Sequence, residues 1–276
     1  MKVSEALLYC SNSLKEVSDS YALESLLIMS YVLNTSKEDV YRKEEEVLDK
    51  TQISFLSEII QKRKQRYPLP YILKNREFMG LNFYIDEGVL IPRQETETLV
   101  EIALEQAKDN SVFLDIGSGS GVIAISILYF KESISSVAVD VLDKAIEITR
   151  MNAIKHGVIN RLNIFKADFK ELKFNDHFDF ILSNPPYVKT GNLKNLPYEP
   201  HIALDGGENG FKFYPKLIEK SYVMLKKGGF VIFEIDPEIL DAVLKEMEKF
   251  FTNIEVFKDL GGFERFVFGV KYEGRF

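Results

Sequence analysis

Cysteine is almost absent from this sequence, because Cys10 is the only one among 276 residues. A single cysteine excludes an internal disulfide and a metal site built from several thiolates, and we expect Cys10 to be a small apolar residue on a helix. Positive charge is also in deficit, with 35 Lys and Arg against 42 Asp and Glu and a net charge of -7. Long nucleic acid is therefore disfavoured as the main partner, although a local basic face stays open.

Long apolar runs are missing as well. No stretch approaches the ~20 apolar residues that a membrane-spanning helix needs. The first five residues, Met-Lys-Val-Ser-Glu, do not have the layout of a signal peptide. We therefore expect a cytoplasmic protein with no membrane partner, and 46% hydrophobic residues predict a full core.

Helical patterns fill residues 1–74 and predict a small N-terminal bundle. Residues 21–29 are apolar on nearly every face, which indicates a central helix. Residues 51–66 predict a second helix with Thr51 as its N-cap, and its basic end is either solvated or a docking patch. A β-hairpin that turns at Gly80 follows and is predicted to link two domains.

The remainder alternates between strands, turns and helices, which predicts a parallel sheet with helices on both faces. Predicted strands cover residues 112–116, 136–140, 162–165, 178–183 and 230–235, and predicted helices cover 96–108, 122–130, 142–156, 211–225 and 237–250. Gly228 and Gly229 are interpreted as the turn before the fifth strand. The last two strands, 254–257 and 266–270, must be antiparallel because their connection is too short for a parallel crossover.

A glycine-rich loop, Asp115-Ile-Gly-Ser-Gly-Ser-Gly121, lies between the first strand of this series and its helix. Glycines permit a tight turn and close approach of a ligand, and the helix N-terminus offers N–H donors. The third glycine comes too early for a dinucleotide fingerprint, and the loop has no lysine for a phosphate loop. The spacing favours a ligand with a carboxylate and a nucleoside, against the alternative of a purely structural turn.

Acidic residues end the next two strands. Asp140 is placed to accept hydrogen bonds from both ribose hydroxyls, and a helix cap is the alternative. Asp168 could accept a hydrogen bond from an adenine amine while the ring of Phe169 covers the base. For this pair, a cap and an ordinary core residue are equally good readings.

The strand over residues 178–183 stops at Asn184-Pro185-Pro186-Tyr187. Proline lacks an N–H group and has a fixed φ, so the chain must leave the sheet at its carboxyl edge. In open α/β sheets that edge binds ligands. The segment offers an amide side chain, unpaired carbonyl groups and an aromatic ring, and the glycine loop upstream favours a site over a simple turn.

These features together resemble the class I S-adenosylmethionine-dependent methyltransferases. The Asn-Pro-Pro-Tyr segment is similar to the motif of enzymes that methylate planar amide or amine nitrogens. Residues 76–81, 91–96 and 198–210 and the helical front part extend the resemblance over essentially the whole chain to the release factor glutamine methyltransferases. Gln94 and Asp236 depart from the pattern of that family, outside the predicted catalytic loop.

The resemblance implies an α/β fold: a seven-stranded, mostly parallel Rossmann-like methyltransferase sheet with a terminal antiparallel strand pair. It implies a helical substrate-docking domain (1–74), a hairpin linker (75–92) and a methyltransferase domain (93–276). The implied reaction transfers a methyl group from S-adenosylmethionine, leaving S-adenosylhomocysteine, to the glutamine amide nitrogen in the Gly-Gly-Gln motif of peptide chain release factors. We expect a monomer that uses no metal and binds no nucleic acid directly.

The catalytic residues implied are Asn184, Pro185 and Tyr187. The Asn184 oxygen and the Pro185 carbonyl would accept the two amide N–H groups, and Tyr187 would stack on the amide. The other predicted substrate contacts are Pro186, Arg93 and Glu199, of which the last two form either a substrate contact or, slightly favoured, a structural ion pair. The predicted cofactor contacts are Asp115, Gly117, Ser118, Gly119, Ser120, Gly121, Asp140, Asp168, Phe169 and Asn184.

No general base is evident, and the three histidines, His156, His177 and His201, are expected to be exposed. Two other functions remain open. An N6-adenine methyltransferase acting on DNA or RNA would use the same flat-nitrogen motif, but it needs a basic groove and must extrude its base. A cofactor-sensing binding protein would bind without turnover.

Overall fold

A computed structural model describes residues 1–272 and divides the chain into two compact units, Met1–Asn75 and the part from Arg76 onward. The first unit is helical: α1 (Val3–Leu14), α2 (Tyr21–Leu33), α3 (Lys37–Arg42), α4 (Lys50–Lys64) and α5 (Leu69–Leu73). Cys10 is fully buried in its core, as expected of a small apolar residue. Among the described residues, no helix is long and apolar enough to cross a bilayer.

One sequence prediction for this unit is confirmed and one is wrong. Helix α2 is the predicted central helix, since it packs against α1, α3, α4 and α5, although the side chain of Leu23 is largely exposed. Helix α4 begins at Lys50, and its cap is Asp49 rather than Thr51. The Asp49 carboxylate accepts from the Gln52 N–H at 2.8 Å while the Gln52 side chain accepts from the Asp49 N–H at 3.0 Å, which satisfies two end groups at once.

The second unit opens with the predicted hairpin, formed by β1 (Arg76–Phe78) and β2 (Leu81–Phe83). Its helices are α6 (Glu97–Gln106), α7 (Val122–Phe130), α8 (Asp143–Lys155), α9 (Tyr214–Met224) and α10 (Leu240–Met247). Its large sheet contains β3 (Val112–Ile116), β4 (Ser135–Asp140), β5 (Leu162–Lys166), β6 (Phe178–Ser183), β7 (Leu225–Glu234), β8 (Phe251–Lys258) and β9 (Glu264–Lys271).

The strand order is β5-β4-β3-β6-β7-β9-β8. Pairing is parallel from β5 to β7, and β9 is antiparallel to both β7 and β8. The predicted seven-stranded α/β fold with a terminal antiparallel pair is thus confirmed. Its central strands are mostly apolar and buried, as expected of a parallel sheet with helices on both faces.

The prediction that Gly228 and Gly229 form a turn is wrong. Strand β7 follows α9 directly, and the two glycines lie within it. Leu225 pairs with Phe178 of β6, and the next paired residue, Phe230, pairs with Phe180. The residues of β7 between these two pairs therefore form a bulge. A Cβ atom at Gly229 would lie 2.7 Å from the Asp179 carbonyl oxygen, which explains why this close approach needs glycine.

Stacked rings hold the central strands in register. Phe180 of β6 stacks on Phe113 of β3 at 4.7 Å and on Phe230 of β7 at 4.9 Å, between ring centroids. At the carboxyl ends of β3 and β6, the Ser183 hydroxyl donates to the Ile116 carbonyl at 2.7 Å. The glycine-rich loop and the Asn-Pro-Pro-Tyr segment therefore leave the sheet side by side.

Candidate active site

A cavity of about 410 Å³ lies at the carboxyl edge of β3, β4 and β6. That volume is within the range of small-molecule sites. The predicted residues that line it are Gly117, Gly119, Asp140, Asp168, Phe169, Asn184, Pro185 and Pro186. The predicted residues outside its lining are Asp115, Ser118, Ser120, Gly121, Tyr187, Arg93 and Glu199.

The glycines of the loop serve two different purposes. Gly117 and Gly119 have φ values of +77° and +55°, and a Cβ atom at either would meet nothing within 4 Å. These two positions keep the cavity open along the loop backbone. Gly121 lies behind them, where a Cβ atom would come within 2.9 Å of both Ile125 and Thr149 side chains. Gly121 is therefore required for packing of the loop on α7 and α8.

Asp140 joins the end of β4 to the glycine loop. One carboxylate oxygen accepts from the Gly119 N–H at 2.9 Å, and the other accepts from the Leu142 N–H at 3.0 Å. Burial raises the pKa of Asp140, against the lowering effect of these backbone donors. Asp140 thus lies in the cavity wall, as predicted, and its hydrogen bond with the Gly119 N–H also fixes the glycine-rich loop.

Asp115 lies beneath the loop and is fully buried. Its Oδ2 accepts from the Ala124 N–H at 3.2 Å, and its Oδ1 has no hydrogen-bond partner within residues 1–272. Burial raises the pKa of Asp115 to about 7; the Ala124 N–H opposes this rise and the Asp140 charge adds to it. The ionised form is therefore costly in the folded protein.

Replacing Asp115 with asparagine is expected to stabilise the protein more at pH 8 than at pH 5. Between the unfolded value of 3.8 and the folded value of about 7, the folded protein keeps a proton that the unfolded chain has lost. Wild-type stability therefore falls, relative to the variant, by about 1.4 kcal/mol for each pH unit in this window and then levels off.

Urea unfolding of both proteins at pH 5 and pH 8 measures this difference, which should grow by about 2 to 3 kcal/mol. Asp19→Asn, at an exposed position, is the control and should show no such growth. If Asp115→Asn changed the free energy of unfolding equally at both pH values, the raised pKa of Asp115 in the folded protein would be contradicted.

Asp168 and Phe169 both lie at the cavity, and Asp168 also acts as a cap. Asp168 Oδ1 accepts from the Lys170 N–H at 3.0 Å and caps a 3-10 turn, while both residues also line the cavity. Phe213, which the sequence did not single out, lines the cavity as well. The ammonium groups of Lys170 and Lys212 lie 5.5 and 5.2 Å from its ring centroid. No local motif marks this aromatic residue as part of a site.

The side chain of Asn184 is held by a buried chain of hydrogen bonds. Its Nδ2 donates to Thr96 Oγ1 at 3.2 Å, and Thr96 Oγ1 donates to Glu234 Oε2 at 2.7 Å. The Tyr187 hydroxyl donates to Glu234 Oε1 at 2.9 Å. Burial raises the pKa values of both Glu234 and Tyr187. Neither Thr96 nor Glu234 was among the predicted site residues.

The acceptors that the sequence pointed to remain available. Within the part of the chain that the structure describes, neither Asn184 Oδ1 nor the Pro185 carbonyl oxygen accepts a hydrogen bond from the protein. Asn184, Pro185 and Pro186 line the same cavity as the glycine loop. Tyr187 is half-buried next to them, with its hydroxyl already bonded to Glu234.

A second segment, residues 204–210, packs against the backbone of the Asn-Pro-Pro-Tyr loop. The Val188 N–H donates to the Leu204 carbonyl, and the Gly206 N–H donates to the Val188 carbonyl, both at 2.8 Å. A Cβ atom at Gly206 would lie 2.6 Å from Tyr187 Cα, and one at Gly210 would lie 2.5 Å from the Tyr187 carbonyl oxygen. These glycines let two backbone segments touch.

Arg93 and Glu199 form the ion pair that the sequence analysis slightly favoured. Arg93 donates to Glu199 Oε1 at 2.6 Å, and Glu199 Oε2 accepts from the Ile91 N–H at 3.0 Å. Gln94 is exposed. Asp236 caps a 3-10 turn by accepting from the Glu238 N–H at 2.9 Å.

None of the three histidines lines the cavity. His177 and His201 are exposed as predicted, but the prediction is wrong for His156. Its ring packs 4.8 Å from that of Phe83, and its Nε2 lies 3.1 Å from the Asn82 carbonyl oxygen. Among residues 1–272, no group of three or more His, Cys, Asp or Glu side chains is arranged to hold a metal ion.

Known proteins resemble the chain over nearly its whole length. It is 33% identical to the release factor glutamine methyltransferase of Clostridium acetobutylicum, with 98% of this chain and 99% of that protein covered. It is 34% identical to the release factor glutamine methyltransferase of Aquifex aeolicus, with 94% of each chain covered.

Two family models and a solved structure each match part of the chain. Residues 5–73 match the PrmC N-terminal domain, and residues 94–199 match the methyltransferase small domain. The crystal structure of a methyltransferase from Pyrococcus furiosus is similar in fold, with a TM-score of 0.53 and 19% identity. That likeness covers 70% of this chain and 90% of the other.

Proposed function

The chain belongs to the release factor glutamine methyltransferases, and from this we propose that it methylates the side-chain amide nitrogen of the glutamine in the Gly-Gly-Gln motif of peptide chain release factors. The methyl donor is S-adenosylmethionine and the product is S-adenosylhomocysteine. The observation that carries the proposal is that Asn184 and Pro185 line one cavity with Gly117, Gly119 and Asp140. A flat amide acceptor and a nucleoside-containing donor can therefore meet there.

The residues of the cavity suit this cofactor. The open glycine backbone at positions 117 and 119 admits a ligand closely, and the Asp140 carboxylate provides acceptors for ribose hydroxyls. Phe169 and Phe213 offer apolar ring surface for a base. When bound, S-adenosylmethionine supplies a methyl carbon that its positively charged sulfur already activates.

The chain contributes positioning rather than a strong base. An amide nitrogen is a poor nucleophile because its lone pair is delocalised into the carbonyl group. Asn184 Oδ1 and the Pro185 carbonyl oxygen accept its two N–H bonds, aim the nitrogen into the cavity and favour positive charge as it develops. In the transfer, the nitrogen would form its bond to the methyl carbon as the carbon–sulfur bond breaks, S-adenosylhomocysteine would leave with that electron pair, and one N–H proton would pass to solvent or to a nearby carboxylate.

Pro186 lines the cavity, and Tyr187 follows it in the same loop although it lies outside the lining. The bond from the Tyr187 hydroxyl to Glu234 fixes the ring at the end of the loop. We assign this ring to cover the flat face of the substrate amide and to keep water away from it. We assign the Arg93–Glu199 ion pair to support of the Ile91 backbone, whose N–H donates to Glu199.

We assign substrate docking to the helical domain over residues 1–74 and the linker role to the hairpin over residues 75–92. At the basic end of α4, Arg63 is already occupied, because it donates to Glu24 at 2.9 and 3.0 Å. Lys62 and Lys64 carry whatever docking this end provides. Because the substrate is a translation factor, we place the protein in the cytoplasm. We also propose that it is a monomer.

Labelled methyl transfer tests the proposed function. The purified protein is incubated with labelled S-adenosylmethionine and either a release factor or duplex DNA, and mass spectrometry locates the modified residue. We expect label on the Gly-Gly-Gln glutamine alone. Label on adenine would favour the N6-adenine alternative, and cofactor binding without transfer to either substrate would favour a cofactor sensor.

Asp140→Ala is expected to weaken S-adenosylhomocysteine binding about 10-fold, because a carboxylate that accepts from ribose hydroxyls is worth about 1.5 kcal/mol or more. Isothermal titration calorimetry measures this affinity. The control is Asp143→Ala on the neighbouring helix, whose side chain is 83% exposed and pairs with Lys166. Equal affinity of Asp140→Ala and wild type would remove Asp140 from the cofactor site.

A further inference from the structure

We infer that Thr96 and Glu234 are positioning residues that set the direction of the Asn184 side-chain amide. Glu234 acts through the Thr96 hydroxyl, which holds Asn184 Nδ2 toward the protein and leaves Oδ1 facing the substrate. This inference rests on the proposed function, in which Oδ1 accepts an N–H bond of the substrate amide.

The direction of Asn184 matters because its two ends have the same shape and opposite hydrogen-bonding properties. The oxygen only accepts, and the NH2 group only donates. A substrate amide nitrogen presents two N–H donors. If Asn184 turned its NH2 group to the cavity, two donors would face each other and the nitrogen would be repelled.

Proton counting along the buried chain fixes this direction. A threonine hydroxyl has one proton, and an ionised carboxylate can only accept. Thr96 Oγ1 lies 2.7 Å from Glu234 Oε2, so its proton points to Glu234. Only lone pairs of Oγ1 then face Asn184, 3.2 Å away, and they accept from the NH2 end.

Glu234 is suited to this task because it is 1% exposed, at the end of the central strand β7. A buried carboxylate needs hydrogen-bond donors, and Thr96 and Tyr187 each supply one to a different oxygen. The Tyr214 hydroxyl donates to the Glu234 carbonyl oxygen at 2.7 Å and fixes the backbone. One carboxylate therefore holds both ends of the Asn-Pro-Pro-Tyr loop.

The test compares Thr96→Val, which keeps the shape and removes the hydroxyl, with Thr96→Ser, which keeps the hydroxyl. We expect Thr96→Val to lower kcat for release factor methylation about 10-fold, since a lost hydrogen bond is worth roughly 0.5 to 1.5 kcal/mol. Thr96→Ser should stay within about 2-fold, and S-adenosylhomocysteine affinity should be unchanged in both.

A double-mutant cycle separates positioning from general packing. In an Asn184→Ala background the amide is gone, so adding Thr96→Val should lower kcat no further. A purely structural role of Thr96 would lower kcat by the same factor in both backgrounds. Thr96→Ala, which also lacks the hydroxyl, provides a second variant if Thr96→Val does not fold, and it should show the same loss of kcat and the same non-additivity.

The outcomes are distinguishable from failure of the proposed function. An active wild type with an equally active Thr96→Val variant would overturn the inference alone. Additive losses in the double-mutant cycle would do the same. A wild type that transfers no methyl group to the release factor would overturn the proposed function, and this inference with it.

Discussion

Replacing Asn184 with alanine lowers kcat for release factor methylation by about 100-fold or more, the range found when a preorganised polar group is removed from a transition state. The reason is that Asn184 Oδ1 is one of two acceptors that orient the amide nitrogen and favour its developing charge. Single-turnover methyl transfer with saturating S-adenosylmethionine measures this effect on the chemical step.

Cofactor binding provides the internal check on this result. Asn184 is also a predicted cofactor contact, but an uncharged one among several, so its removal should change S-adenosylhomocysteine affinity less than about 3-fold. Asn160→Ala, at an exposed position before β5, is the matched control and should keep wild-type turnover. Near-normal kcat in Asn184→Ala would rule out Asn184 Oδ1 as an acceptor that orients the substrate amide.

Gly206→Ala should lower both turnover and stability. The new Cβ atom would lie 2.6 and 2.8 Å from the Tyr187 Cα and carbonyl carbon, and both are backbone atoms that cannot rotate away. Overpacking of this kind costs about 1 to 3 kcal/mol. The loop must shift, and a displacement of about 1 Å at a reacting group can reduce the rate about 100-fold.

Gly191→Ala is the matched control for this prediction. Gly191 follows the same loop, its φ is not positive, and a Cβ atom there would meet nothing within 4 Å. Thermal unfolding and kcat should therefore remain close to wild type for this variant. If Gly206→Ala behaved like Gly191→Ala, the backbone contact with Tyr187 would have no functional importance.

The strands of the sheet can be predicted from the sequence because each is marked by residues within the strand or next to it. Each parallel strand is a short apolar run, and the glycine loop and the Asn-Pro-Pro-Tyr segment mark where two of them end. The bulge at Gly228 and Gly229 could not be read locally, since it arises from the register between β6 and β7. A pair of glycines looks like a turn until the partner strand is known.

The predicted site residues are marked by their neighbours in the sequence, whereas the unexpected ones depend on contacts between distant parts of the chain. Asn184 and Asp140 occupy strand ends, a position that can be read from the order of elements. Thr96 and Glu234 meet although they are 138 positions apart in the chain. Nothing near either residue indicates burial with a polar partner, because such pairing depends on how the start of α6 packs against the end of β7.

The position of β9 has a consequence for the order in which the molecule can be completed. This strand lies between β7 and β8, so it is an interior strand of the sheet although it is made after both of them. Until the ribosome has released residues 264–271, β7 has an unpaired edge and β8 has no place in the sheet. Glu234, at the end of β7, therefore gains its final surroundings only after β9 has been made, and a nascent chain that stops before β9 should lack the ordered hydrogen bonds that hold the Asn184 side chain.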